Sequence, residues 1–291
     1  MQEGRIIKAL SGFYYVKNNS GIHRCRGRGV FRIQDISPLV GDFVKFESET
    51  RDEGYILEVL ERKNSLVRPP VANIDQVMIV NSAKEPEFSP LLLDQFLVLI
   101  ESIGIKPFIL VTKTDLATED EIEKLEKFKS IYEAIGYTFK LISTTEPQAD
   151  LQTYLDDKVS VIAGQSGVGK TSLLNTLNPD LLLQTNEISK SLGRGKHTTR
   201  HVELVQVKNG LIADTPGFST LDFRNIEADE LGDYFPEIRR EAQYCKFRGC
   251  KHYKEPKCAV KEAVENDEIA PIRYEHYVRF LENIQNRKPR Y

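Results

Sequence analysis

Eight residues, Gly164-Gln165-Ser166-Gly167-Val168-Gly169-Lys170-Thr171, constrain this chain more than any other stretch. They follow a short apolar run over 159–163 and precede a helix-like segment over 172–177. Strand, glycine-rich loop and helix are the context in which G-x-x-x-x-G-K-[ST] forms a phosphate cradle. The glycines let the backbone wrap an anion, with successive N–H groups turned inward. The helix N-terminus adds roughly half a positive charge. Gly164, Gln165, Ser166, Gly167, Val168, Gly169 and Ser172 are then nucleotide contacts. Lys170 reaches the β- and γ-phosphates, and the Thr171 hydroxyl ligates Mg²⁺. The competing reading is a loop with a purely structural role.

A length of 291 residues suits about two domains, and 40% hydrophobic residues suffice for cores. A net charge of −3 decides nothing about nucleic acid, but the basic residues are clustered. No run of about 18 apolar residues marks a membrane span. The first residues lack the apolar core of a signal peptide. Four cysteines, three of them within fourteen residues, do not suit a secreted disulfide framework, so a cytoplasmic protein is expected.

Residues 1–68 read as short strands, with runs at 12–17, 42–46 and 54–60, and this spacing suggests a small five-stranded barrel of the OB type. Between the first two runs, residues 23–32 hold four arginines within nine residues. Arginine suits phosphate, so RNA contact is expected there, the alternative being a solvated hairpin. Cys25 stands apart and reads as an inert thiol. Arg68-Pro69-Pro70 marks a boundary.

From 69 to 222 the rhythm is β-α-β, which implies a mostly parallel sheet covered on both faces. Strands are expected at 76–80, 107–111, 138–143 and 159–163. Ser89-Pro90 starts a helix that Gly104 closes, and Thr118 with Glu121 forms a capping box for a second helix ending near Gly136. Asn209-Gly210 between two apolar runs signals a hairpin over 202–213.

Within this region lie the parts of a guanine-nucleotide site. Thr112-Lys113-Thr114-Asp115 follows a strand. Asp115 can accept from guanine N1–H and N2–H₂, which adenine does not offer, so adenine would leave a carboxylate unpaired. The Lys113 stem lies along the base, and Ser143-Thr144 is placed to present a backbone N–H to guanine O6. Asp214-x-x-Gly217, at the end of the hairpin, supplies a Mg²⁺-side aspartate and a glycine N–H for the γ-phosphate. The order is rotated: base reading precedes the phosphate loop, followed by Thr198-Thr199 and then Asp214. Circular permutation is tolerated because all these loops leave the carboxyl edge of one sheet. Phe218 stands where many GTPases carry a water-orienting Gln, which predicts slow unassisted hydrolysis; His197, beside Thr198 and Thr199, is the candidate catalytic residue that would orient water, the alternative being an RNA or phosphate contact in a basic loop. Thr171, Asp214 and one of the two switch threonines, Thr198 or Thr199 with Thr199 favoured, are the expected magnesium ligands.

The last segment, 223–291, contains Cys245-x₄-Cys250-x-His252-x₅-Cys258. Cys₃His is a closed tetrahedral zinc set with no free coordination position, so this metal is structural. Lys246, Arg248, Lys251, Lys254, Lys257 and Lys261 surround it, against Glu255 alone, as a phosphate-facing patch or a solvated rim. Residues 270–286 read as a helix with Tyr274, Tyr277, Val278 and Leu281 on one face.

Taken together, these motifs resemble the RsgA (YjeQ/YloQ) family of circularly permuted GTPases, over nearly the whole chain. The resemblance rests on Thr112–Asp115, Gly164–Thr171, Gly195-Lys196-His197-Thr198-Thr199, Asp214–Gly217 and the cysteine-rich tail. It implies an N-terminal OB-type barrel (1–68), a permuted P-loop GTPase domain (69–222) and a C-terminal zinc-binding helical domain (223–291). It further implies one Zn²⁺, Mg²⁺ with GTP, and a GTPase that acts in maturation of the small ribosomal subunit and contacts its rRNA. Thr112 departs from the family's common Asn, and being shorter it predicts weaker guanine binding. A monomer with no membrane association is expected. Two other classes remain open at this level: a small-molecule P-loop kinase or ATPase, and an RNA-binding scaffold whose nucleotide site does not hydrolyse.

Overall fold

The computed structural model describes residues 1–29, 31, 36–67, 69–143, 149–177, 202–214 and 223–287. Five strands open the chain: β1 (Gln2–Leu10), β2 (Phe13–Asn18), β3 (Gly21–Gly27), β4 (Phe43–Thr50) and β5 (Glu53–Val59). Their order β1-β2-β3-β5-β4 closes through β1–β4 pairing, and β3–β5 is parallel while the other pairs are antiparallel. This is the expected OB-type barrel. Ile6, Val16, Cys25, Val44, Phe46 and Ile56 fill its interior with no exposed surface. Sequence reading leaves β3 as an arginine-rich link. Its inward positions are His23 and Cys25, not branched aliphatics, which hides the alternation with the outward Arg24 and Arg26. Strand β1 is likewise not singled out, because Ile6 is its single fully buried residue. Burial pushes the Cys25 thiol up to about 11, which agrees with an inert role. The fully buried Asp42 carboxylate takes a two-pronged bond from Arg62 at 2.7 and 2.8 Å and a third from the Leu39 N–H at 2.7 Å.

A two-stranded ribbon, β6 (Ser65–Leu66) with β7 (Val71–Ala72), leads into the β-α-β region. Its elements are β8 (Gln76–Ser82), α1 (Pro90–Glu101), β9 (Lys106–Thr112), α2 (Glu119–Ile135), β10 (Thr138–Leu141), α3 (Ala149–Leu155), β11 (Val159–Ala163), α4 (Lys170–Leu177), β12 (Val202–Val207) and β13 (Gly210–Asp214). The sheet order is β10-β9-β8-β11-β13-β12, parallel except for β12. Every residue of β8 and of β11 is buried, as strands covered on both faces require. Val77 and Ile79 face one apolar cluster with α1 and α2, while Met78 and Val80 face another with α3 and α4.

The N-caps form as the sequence predicts, but α1 ends at Glu101 with Ser102 as its C-cap, and Gly104, at φ +66°, comes two residues later. The Ser89 hydroxyl accepts from Leu92 N–H with Pro90 at the first helical position. The Glu121 carboxylate accepts from Thr118 N–H at 2.9 Å, and Gly136 ends α2 at φ +104°. The hairpin also forms, but its two loop residues are Lys208 and Asn209 rather than Asn209 and Gly210. Gly210 is the first strand residue, where a Cβ would lie 2.1 Å from the Leu155 carbonyl oxygen.

Strand β1 belongs to both sheets. Gln2–Arg5 pairs with β4, whereas Lys8 and Ala9 pair with Glu203 and Val202 of β12. The result is one eleven-stranded sheet. Lys8 binds Glu203 at 3.0 Å and Lys17 donates to Gln206 at 3.0 Å across the junction.

The last segment contains α5 (Pro236–Ala242), α6 (Ala259–Glu265) and α7 (Pro271–Gln285). Phe235, Tyr277, Phe280 and Leu281 build its core together with Val98 of α1. At this junction Arg273 of α7 is fully buried. It donates to Asp94 of α1 and, at 2.7 Å, to Glu237 of α5. Asp94 also accepts from Tyr132 of α2 at 2.6 Å and lies 2.5 Å from His276 Nδ1. Removing the guanidinium would strand two buried carboxylates. Arg273→Met is therefore expected to destabilise the chain by about 3–5 kcal/mol in urea unfolding. A loss below about 1 kcal/mol would place the network among weak surface pairs.

Candidate nucleotide site and metal centre

The parallel strands bring their carboxyl ends to one edge, where the base motif after β9 and the glycine loop after β11 meet on either side of β8. Gly164 opens the loop at φ +143°, with Val80 so near that a Cβ would fall 2.1 Å from its carbonyl oxygen. Gln165, Ser166 and Gly167 are exposed, Val168 is buried, and Thr171 and Ser172 in the first turn of α4 are exposed. Lys170 folds its ammonium back onto the loop, donating to the Gly164 carbonyl at 2.8 Å and to that of Gln165. Burial lowers the Lys170 pKa, so an anion in the loop would offset a real desolvation penalty.

Thr112 closes the gap between the two motifs. It is 1% exposed, and its hydroxyl donates to the Val168 carbonyl at 2.7 Å, with the Asn81 carbonyl at 3.1 Å as a second acceptor. The shorter side chain thus reaches the phosphate loop directly. Lys113 adopts a left-handed backbone at φ +58° and donates through Nζ to the Glu85 carbonyl. A 3₁₀ turn over Thr114–Leu116 presents Asp115, whose Oδ1 accepts from the Ser143 hydroxyl at 3.2 Å. Thr112, Ile142 and Ser143 face Gly169, Ser172, Leu173 and Thr176 across a small open cleft. One side offers the Ser143 hydroxyl, which holds the Asp115 carboxylate next to the cleft, and the other is the start of α4, an arrangement that suits a base joined to a phosphate chain.

Asp214 is the last residue of β13, one step beyond the Val161–Ala213 pair and thus beside the start of the glycine loop. Its side chain, together with Thr144, His197, Thr198, Thr199 and Gly217, lies outside the described residues. Asn81 and Glu85 are neighbours of the site that no sequence pattern marks.

The second site is the Cys₃His set. The ligand atoms of Cys245, Cys250, His252 and Cys258 all lie within 4.8 Å of one another. Cys245 Sγ is 3.8 Å from Cys258 Sγ, and His252 Nδ1 is 3.5 and 3.4 Å from these two sulfurs. Tetrahedral zinc with Zn–S bonds near 2.3 Å has S···S edges of about 3.8 Å, so the cage fits. Burial lowers the His252 pKa, which keeps the ring neutral for ligation. Burial pushes the Cys250 thiol up to about 12, a penalty that a divalent cation would reverse. Two tyrosines of α7 hold the loop from behind. The Tyr274 hydroxyl donates to the His252 carbonyl and that of Tyr277 to the Lys251 carbonyl, both at 2.7 Å. The sequence places both tyrosines on one helical face but gives no sign that their hydroxyls bind this loop. The residues present can hold one structural zinc. Among the described residues, no helix is long and apolar enough to cross a membrane.

Comparison with known proteins agrees with this geometry. The family model described as the RsgA GTPase matches residues 59–224, and that of the RsgA N-terminal domain matches 3–56. The chain is 64% identical to small ribosomal subunit biogenesis GTPase RsgA 2 of Oceanobacillus iheyensis, and the match covers 100% of both chains. It is 54% identical to the small ribosomal subunit biogenesis GTPase RsgA of Bacillus subtilis, again over 100% of each. The crystal structure of YloQ, a circularly permuted GTPase, superposes with a TM-score of 0.87 at 49% identity, covering 100% of this chain and 97% of the other. YjeQ from Thermotoga maritima gives 0.87 at 37% identity and 99% coverage of each. By its family models, its full-length relatives and its permuted fold, the chain belongs to the RsgA family of GTPases.

Proposed function

We propose that this GTPase is a nucleotide-driven switch that docks on the small ribosomal subunit, contacts its rRNA, and couples GTP hydrolysis to late maturation and to its own release. The observation that carries the nucleotide assignment is the Thr112–Val168 hydrogen bond, which joins the base motif to the phosphate loop at one sheet edge. The relatives' names supply the ribosomal partner. In this reading the chain divides into 1–68, 69–222 and 223–291, and works as a cytoplasmic monomer.

Asp115 accepts from the guanine N1–H and N2–H₂, with Ser143 orienting the carboxylate. Gly164 through Ser172 wraps the phosphates, and Lys170 exchanges its loop carbonyls for phosphate oxygens. Mg²⁺, held by Thr171, Thr199 and Asp214, neutralises charge on the phosphates when bound. Gly217 donates its N–H to the γ-phosphate, and His197 orients water once the partner completes the site. With Phe218 in place of a glutamine, unassisted turnover is slow.

Purified protein should therefore hydrolyse GTP slowly, and much faster with small ribosomal subunits, with His197→Ala losing the stimulated rate. Equal rates with and without subunits would sink the coupling, and ATP turnover without RNA would favour a kinase or ATPase. Asp115→Asn should weaken GTP binding by roughly ten- to a hundredfold, the worth of one charged hydrogen bond. It should improve binding of xanthosine triphosphate, whose O2 can accept from the new amide. Unchanged guanine preference would remove Asp115 from the site. Metal analysis should find one zinc per chain. A chelator that strips it should unfold the loop around Cys245–Cys258 and leave the β-α-β region folded, read as lost amide protection in that loop alone.

A further inference from the structure

The metal-bearing loop exposes aromatic surface that its own packing does not use. Tyr244 is 70% exposed and Phe247 45% exposed. They stand one residue before and two residues after the ligand Cys245. Cys245, Cys250 and Tyr253 pack against the core built by Phe235, Tyr277 and Phe280, whereas Tyr244 and Phe247 are not part of it. Cations interleave with the two rings. Lys246 and Arg248 are exposed, and the Lys246 ammonium lies 6.0 Å from the centre of the Phe247 ring. Arg240 and Lys251 nearby are engaged by Glu241 and Asp229. Among the described residues, Lys246 and Arg248 take part in no salt bridge.

We propose that residues 244–248 form a stacking platform for unpaired RNA. Tyr244 and Phe247 take the faces of bases splayed out of a helix, and Lys246 and Arg248 take the flanking phosphates. This rests on the RNA-docking reading above and specifies the surface and the RNA conformation. The pairing of ring and cation favours nucleic acid: every base offers a π-face, and each is joined to an anion that the two uncompensated cations match. Duplex RNA hides those faces in its stack and offers only backbone and groove edges, so unpaired nucleotides fit better. The platform is also rigid at low entropic expense. Cys245 is fixed by the metal cage, and the loop behind it by the Tyr274 and Tyr277 hydroxyls.

The test uses the full zinc-loaded chain and a short oligouridine carrying 5-iodouridine, whose photoproducts form with a stacked ring. Cross-links mapped by mass spectrometry should fall on Tyr244 or Phe247. Tyr244→Leu/Phe247→Leu should retain one zinc per chain, lose those cross-links, and weaken oligouridine binding about tenfold or more with little change in its salt dependence. Lys246→Gln/Arg248→Gln should instead lower the salt slope by about 0.7 per cation removed. Binding to a blunt RNA duplex should be little affected by the leucine pair. Cross-links confined to the barrel, or oligouridine affinity unchanged in the leucine pair, would overturn the platform while leaving RNA docking intact. Loss of subunit docking with RNA affinity kept would assign the surface to a protein and overturn it equally. If the parent chain bound no RNA, the RNA-docking reading itself would fail.

Discussion

Parallel strands deliver their following loops to a single edge, and the arrangement of this molecule depends on that constraint. Strands β8, β9, β10, β11 and β13 all run the same way, so the base motif, the glycine loop and the end of β13 converge although they are scattered over about a hundred residues of sequence. Chain order is immaterial to this convergence, and rotating the order of the motifs therefore leaves their spatial arrangement intact. What the rotation changes is the position of the ends. The barrel enters beside β8 and the metal-bearing segment leaves after β13, so both additions are attached at strands that flank the glycine loop.

The two centres are fixed by different physics. At the nucleotide edge the fixing is polar and short-ranged: Thr112 to Val168, Lys170 to Gly164, Ser143 to Asp115. These contacts are few, partly solvent-facing, and suited to exchange for ligand groups. At the junction of α1, α5 and α7 the fixing is a buried guanidinium between two carboxylates, which is intolerant of partial loss. The first helix after the barrel thus serves the sheet on one side, through Leu93, Phe96, Leu97 and Ile100, and the metal-bearing segment on the other, through Asp94 and Val98.

Legibility in the sequence followed the range of each interaction. The glycine loop, the base motif, the helix caps and the Cys₃His set are each contained in a few turns of chain, so residue type and spacing suffice to find them. Strand β3 escaped because His23 and Cys25 fill inward positions usually held by aliphatics. The hairpin turn was misplaced by one residue because Gly210 answers to the neighbouring Leu155 carbonyl, not to the turn. The Arg273 network could not be read at all, since Arg273 and Asp94 are 179 positions apart. Thr112 shows the same limit at a functional position. Side-chain length alone suggests a weakened bridge, but the closeness of the two loops lets a hydroxyl span it.

The sharing of β1 between barrel and sheet bears on how this protein can be taken apart. Strand β12 would otherwise be the outer edge of the β-α-β sheet, and its amides and carbonyls near Val202 are capped by Ala9 and Lys8. Cutting the barrel away would uncover an open, valine-rich edge of the kind that recruits strands from other molecules. The N-terminal barrel is thus also a guard on the sheet's one antiparallel margin, and a shortened chain beginning near β8 would meet its first difficulty in staying monodisperse rather than in binding nucleotide.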